Sequence, residues 1–97
     1  MLTLTYTGDA SEFDVDKFLL KHADEIRLAG INAIEESFEL GLKEAHAVEV
    51  IIDGDVADFT MLDWEWKKFL ADSIEPLLMK EDYETLIRVR ELMRKLS

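Results

Sequence analysis

The residues best suited to chemistry are three aspartates, Asp53, Asp55 and Asp58, which follow the apolar segment 47–52. Carboxylates spaced this closely can bind a divalent cation or share nucleophilic and acid–base work. A calcium loop of the EF-hand type needs Gly at its sixth position and Glu at its twelfth, and counting from Asp53 these positions hold Asp58 and Trp64. We therefore predict no metal site here and interpret the segment as a solvated acidic turn.

The segment Val50-Ile51-Ile52-Asp53-Gly54-Asp55-Val56 also resembles the first motif of haloacid-dehalogenase-type phosphatases. This resemblance covers seven residues and implies that Asp53 attacks phosphorus while Asp55 protonates the leaving group. The 42 residues after Asp55 are too few for the further βα units that complete such a site. We therefore predict that the chain is not an enzyme. A small phosphatase, which Asp53→Asn would inactivate, ranks third among the hypotheses for function, after the two given at the end of this section.

Histidine and cysteine offer little further chemistry. The chain has two histidines, His22 and His46, and no Cys. Neither histidine lies at the spacing of a metal-binding pair, and no Ser-His-Asp or Cys-His arrangement can be assembled around them. We interpret both as surface or boundary residues and predict no catalytic residue and no cofactor.

The two tryptophans are better candidates for binding. On a helix, Trp64 and Trp66 are about 200° apart, so one core can hardly accept both. Trp66 shares a predicted helix face with Leu62, Phe69 and Leu70 and is predicted to be buried. Trp64 falls near the outer face, where an exposed Trp is a frequent interface anchor. The alternative, that Trp64 covers a flank of the sheet, stays open.

The charge excludes one large class of function. The chain carries 22 acids against 11 Lys and Arg, a net charge of −11, and a field of this sign repels nucleic acid. Residues 1–60 have a net charge of −10 and residues 61–97 only −1. Such asymmetry favours a basic partner, although it also serves solubility. Two acidic clusters each follow a predicted strand: Asp9, Glu12, Asp14 and Asp16 in the first, and Asp53, Asp55 and Asp58 in the second.

Length and composition predict a single domain over residues 1–97. The hydrophobic fraction of 48% is ordinary for a folded protein, so the acidity does not imply disorder. The lack of Cys fits a reducing compartment, and neither a signal peptide nor a membrane span is recognisable. We expect a soluble cytoplasmic protein without membrane contact.

The N-terminal half is predicted to contain one strand and one helix before an ambiguous stretch. Residues 2–7 alternate with period two, and Asp14 can cap a helix that begins at Val15 and stops at Gly30. Residues 31–45 fit a helix, which we favour, but residues 38–42 also alternate like a strand. Such a strand would form a hairpin with segment 47–52.

The C-terminal half is predicted to hold a strand and two helices. Segment 47–52 is the clearest strand and ends at Asp53-Gly54-Asp55. Thr60–Asp63 matches a capping box that would open a helix running through about Ser73, with Pro76 ending or kinking it. Asp82 caps the last helix.

These elements predict an α+β fold with a two- or three-stranded sheet, three to four helices and a C-terminal helical pair. Two strands alone are marginal, so we expect a third strand or a partner's edge.

The leading hypothesis for function is a small acidic inhibitor, of the toxin-immunity or phage anti-defence type, that occludes a basic nucleic-acid-handling protein. Electrostatic attraction would speed its association with the partner. The alternative is an assembly module that binds through an apolar face of its C-terminal helices, and a homodimer stays open. The residues predicted to contact the partner are Asp9, Glu12, Asp14, Asp16, Asp53, Asp55, Asp58, Phe59 and Trp64.

Overall fold

The computed structural model describes residues 1–96 and has the α+β fold predicted from the sequence. Three strands form one mixed sheet in the order β1-β2-β3: β1 (Leu2–Tyr6), β2 (Glu44–Ile52) and β3 (Asp55–Leu62). The pair β1 and β2 is parallel, and the pair β2 and β3 is antiparallel. The third strand that a stable sheet requires is therefore part of this chain.

Four α-helices accompany the sheet in the described residues: α1 (Val15–Lys21), α2 (Ala23–Leu40), α3 (Asp63–Met79) and α4 (Tyr83–Leu96). α1 and α2 make the crossover that a parallel strand pair requires. They pack on the sheet face that carries the buried side chains of Leu4, Val48 and Val50. α3 and α4 form the predicted C-terminal helical pair.

The predicted start of the first helix is confirmed, but its predicted end at Gly30 is wrong. Asp14 accepts a hydrogen bond from the backbone N–H of Lys17 at 3.2 Å and so caps α1. The backbone breaks at His22 and continues as α2 to Gly41, which has a φ of 72° and ends the helix in a left-handed conformation.

Gly30 lies inside α2 rather than at a helix stop, and a side chain from α3 lies directly over it. A Cβ atom at Gly30 would collide with the Phe69 ring. The glycine therefore lets α2 and α3 approach each other closely, and it is itself buried.

Residues 31–45 combine a helix with the start of a strand. The favoured helix is correct through Leu40, but Leu42 lies in the connection and Ala45 is a fully buried residue of β2. The alternative hairpin between residues 38–42 and β2 is wrong. β2 forms its hairpin with the segment that follows it.

That segment, β3, overturns the predicted capping box at Thr60–Asp63. Thr60 lies within the strand, and α3 begins at Asp63 without a side-chain cap. Asp53 and Gly54 form the two-residue turn between β2 and β3, with φ values of 50° and 84°. Two successive positive φ values are what a type I′ hairpin turn requires, and Asp-Gly suits it.

α3 is longer than predicted. It continues past Ser73 to Met79 with Pro76 inside its last turns, although proline cannot donate the helical hydrogen bond. Leu77 is buried in the core beside α4, so tertiary packing holds the helix beyond the proline.

The core consists of two clusters that meet at Met61. One lies mainly between the helices and contains Ile31, Trp66 and Leu70, and the other lies between the sheet and the first two helices. Met61 on β3 packs against both clusters. The strand therefore joins the helical pair to the rest of the fold.

Asp82 caps α4 as predicted, and this gives a test of local stability. Its carboxylate accepts hydrogen bonds from Thr85, from the backbone N–H at 3.2 Å and from Oγ1 at 2.8 Å. We expect Asp82→Ala to lower the free energy of unfolding by about 1 kcal/mol in urea titrations, whereas Asp82→Asn keeps most of it. An alanine variant as stable as the wild type would contradict this role.

Candidate protein-binding surface

The negative charge is concentrated on the sheet side of the molecule. Residues 1–16 and 44–62, which contain the three strands, hold nine acids and no Lys or Arg. The remaining residues hold thirteen acids and all eleven bases. The field of the protein therefore comes from the sheet and from the segment after β1, while the helical half is close to neutral.

The two acidic clusters begin at the same end of the sheet. Because β1 and β2 are parallel, their last residues, Tyr6 and Ile52, lie opposite each other. The first cluster begins at Asp9, three residues after β1, and the second begins at Asp53, directly after β2. The parallel pairing of β1 and β2 thus brings the starts of both clusters to one end of the sheet.

None of the seven carboxylates in these clusters forms an ion pair with a base in residues 1–96. Asp9 and Asp14 accept hydrogen bonds from helix N-termini, and the bonds from Ser11 hold the pKa of Asp9 below its usual value. The bases pair elsewhere, for example Arg88 with Glu35 at 3.2 Å. Ion pairs within residues 1–96 therefore do not neutralise the clusters.

Asp55 and Asp58 do not belong to a loop, contrary to the prediction. Asp55 is the first residue of β3, and Asp58 lies in the middle of the strand, directly opposite Glu49. Like charges in directly opposed positions destabilise a sheet. The acidic surface thus extends from the turn onto the face of the sheet that carries exposed Thr3 and Thr5.

The predicted positions of the two tryptophans are confirmed. Trp66 is 2% exposed, and its indole N–H donates to the carbonyl oxygen of Met61 at 3.0 Å. Trp64 is 75% exposed on the first turn of α3. It is available to a partner, as an anchor residue must be.

The ring of Phe59 lines an apolar cleft on the face of β3 opposite to the Asp58 carboxylate. It is paired with Val48, so its side chain is on the helix-covered face of the sheet, yet 40% of it is exposed. The cleft has a volume of about 420 Å³, and its other apolar walls include Leu19, Ile26 and Phe69. The structure therefore separates Phe59 from the carboxylates with which the sequence grouped it.

A second, more open cleft adjoins the first around Trp64. The two clefts share Met61, Glu65 and Phe69, so they form one groove along β3 and α3. We call the groove that the two clefts form together the β3 groove, and its lining residues are those of both clefts. Sequence reasoning missed it, although the alternation of Ala57, Phe59 and Met61 is the signal of a strand with one apolar face.

The open sheet face carries a polar row of a hydroxyl, an imidazole and a carboxylate. His46 Nδ1 lies 3.0 Å from Thr60 Oγ1, and His46 Nε2 lies 3.7 Å from Glu44 Oε2. The imidazole and the carboxylate are each more than half exposed, so water solvates the row. Nucleophilic catalysis depends on the exclusion of water and on preorganised donors, which enclosed sites provide. This row lies on an open sheet face and has no such enclosure.

Residues 1–96 contain neither a cluster of metal-binding side chains nor a membrane-spanning helix. No three His, Asp or Glu side chains there come together as a set that could hold a metal ion. None of the helices in this part of the chain has the length and apolar character needed to span a bilayer. Comparisons of the chain with models of protein families, with curated proteins and with solved structures found no match.

Proposed function

We propose that this protein is a cytoplasmic inhibitor that binds a basic, nucleic-acid-handling protein, in the manner of toxin-immunity or phage anti-defence proteins. The observation that carries the proposal is the charge of residues 1–16 and 44–62, which contain the three strands and hold nine acids and no Lys or Arg. The two clusters of unpaired carboxylates in these residues begin at the same end of the sheet. A surface of this charge matches a cleft that evolved to hold phosphates.

The mechanism is occlusion guided by electrostatics. Carboxylates at the end of the sheet take the places of phosphates against Lys and Arg of the partner, and Trp64 adds an apolar anchor. Long-range attraction accelerates the encounter, and salt weakens this effect because it screens exposed charges.

The triple variant Asp53→Asn, Asp55→Asn, Asp58→Asn tests this mechanism with little change in shape. We expect its association rate with the partner to fall by about tenfold at low salt and to depend less on salt, because three steering charges are lost. The partner is first identified by affinity capture of the tagged protein at low and high salt. The association rates are then measured with a biosensor.

The matched control changes the same amount of charge on the helical half. Glu39, Glu75 and Glu84 are exposed and form no ion pair in the described residues, so their replacement by Gln leaves the fold unstrained. We expect this control to associate at nearly the wild-type rate. Equal rates for the two triple variants would remove the second cluster from the interface.

The alternative function, an assembly module, has one observation in its favour. The corner between α3 and α4 exposes four large apolar side chains: Leu78, Met79, Tyr83 and Ile87. A partner bound there would be held by apolar burial, so its capture would survive high salt. Capture that is lost at high salt would instead support the inhibitor.

A further inference from the structure

The inner face of β3 is uncovered because the sheet is wider than the helix above it. Neighbouring strands lie about 4.8 Å apart and a helix is about 10 Å across, so one helix covers about two strands. α2 packs mainly on β2 and also on β1. The side chain of Phe59 on β3 therefore has no helix directly above it and is 40% exposed.

The β3 groove has walls on both sides and a side-chain floor. Leu19 of α1 and Ile26 of α2 form one wall, and Phe69 of α3 forms the other. The ring of Phe69 rests over Gly30, which fixes this wall in place. The groove is thus formed before anything binds, so little ordering is needed on binding.

Charge at the groove specifies what can enter it. Glu65 lies along its edge, and no Lys or Arg occurs between Lys43 and Lys67. The neighbouring residue Asp58 directs its carboxylate to the other face of β3, since side chains alternate along a strand. The base at the Trp64 end, Lys68, is neutralised by Asp72 at 2.9 Å. An occupant must therefore combine an apolar side that fills the groove with Lys or Arg on its flanks.

We propose that the β3 groove binds an amphipathic basic helix of the partner protein. This proposal rests on the proposed function and names the part of the basic partner that is recognised. A helix fits better than a strand, because the walls of the groove are helices and its floor is made of side chains. A partner strand would instead pair with the backbone along the free edge of β3.

A pair of model peptides tests the proposal without knowledge of the partner. The first has Leu residues at helical spacing and Lys elsewhere, and the second has the same composition with the Leu residues scattered. We expect the first peptide to bind at least tenfold more tightly. In ¹⁵N-labelled protein it should shift the amide signals of Leu19, Phe59 and Phe69 while becoming helical by circular dichroism.

Two variants locate the binding energy. Phe59→Ala should weaken binding of the helical peptide at least tenfold, whereas Leu40→Ala, which removes an exposed apolar side chain from the end of α2, should leave binding unchanged. The amide chemical-shift changes measured on the wild-type protein locate the binding site even if the Phe59 variant does not fold.

The other outcomes separate failure of this proposal from failure of the proposed function. Equal binding of both peptides, with shifts confined to residues 9–16 and 53–55, would overturn the groove but support a basic partner. A peptide that binds as a strand along the edge of β3 would contradict the proposal that the occupant is a helix. Absence of binding by both peptides would contradict the groove and the basic partner together.

Discussion

Replacement of Trp66 by Ala should lower the free energy of unfolding by about 3–5 kcal/mol, whereas replacement of Trp64 by Ala should change it by less than about 0.5 kcal/mol. Trp66 is 2% exposed in the helical core, and Trp64 is 75% exposed on the same helix. Chemical denaturation of both variants measures the difference. Because the two residues are two positions apart, the comparison holds helix and residue type constant.

A milder change separates the packing of Trp66 from its hydrogen bond. Trp66→Phe keeps an aromatic ring but removes the N–H that donates to the Met61 carbonyl oxygen. We expect an intermediate loss of stability, since the partly buried carbonyl oxygen loses this donor and a hydrogen bond contributes about 1 kcal/mol. Equal losses for the Trp64 and Trp66 alanine variants would contradict the placement of the indole rings.

Gly30→Ala should destabilise the protein, although alanine is the better helix former. Helix propensity alone would stabilise an interior position by about 1 kcal/mol. The new methyl group, however, would collide with the ring of Phe69, and such overpacking typically costs about 1–3 kcal/mol. We therefore expect a net loss of stability in urea titrations.

The background Phe69→Ala should reverse the sign of this effect. With the ring removed, the Cβ atom at position 30 meets no collision, and Gly30→Ala should then stabilise the protein. The double-mutant cycle gives the interaction between the two positions as a free energy. If Gly30→Ala stabilises the protein in both backgrounds, the ring of Phe69 does not lie over Gly30.

The features that sequence predicted correctly are local. The period-two alternation of β1, the β-branched run of β2 and the caps Asp14 and Asp82 each depend on residues within one element. The burial of Trp66 and the exposure of Trp64 follow from helical periodicity in the same way. Such patterns suffice because each element has to present one face to the core.

The features that sequence did not predict depend on residues far apart in the chain. Gly30 and Gly41 both interrupt a helical pattern, and only the packing of Phe69 distinguishes a close contact from a helix stop. β3 was missed because Thr60–Asp63 also satisfies a capping-box pattern, although Asp53-Gly54 is a strong hairpin signal.

The candidate surface was predicted in part. The acidic residues and Trp64 were identified from charge and periodicity, and the structure places the starts of the two acidic clusters at one end of the sheet. That placement comes from the parallel pairing of β1 and β2 across a long crossover, which no local pattern encodes. The β3 groove requires in addition that α2 leaves the last strand uncovered.

The absence of Lys from the strands also determines how the protein can be handled. Apart from the α-amine of Met1, every primary amine belongs to residues 17–43 or 67–95. Amine coupling and lysine acetylation therefore act on the helical half and spare the hairpin of β2 and β3. Trypsin, which cleaves after Lys and Arg, would release residues 44–67 as one fragment. A shift in the mass of that fragment would report a modification of the hairpin directly.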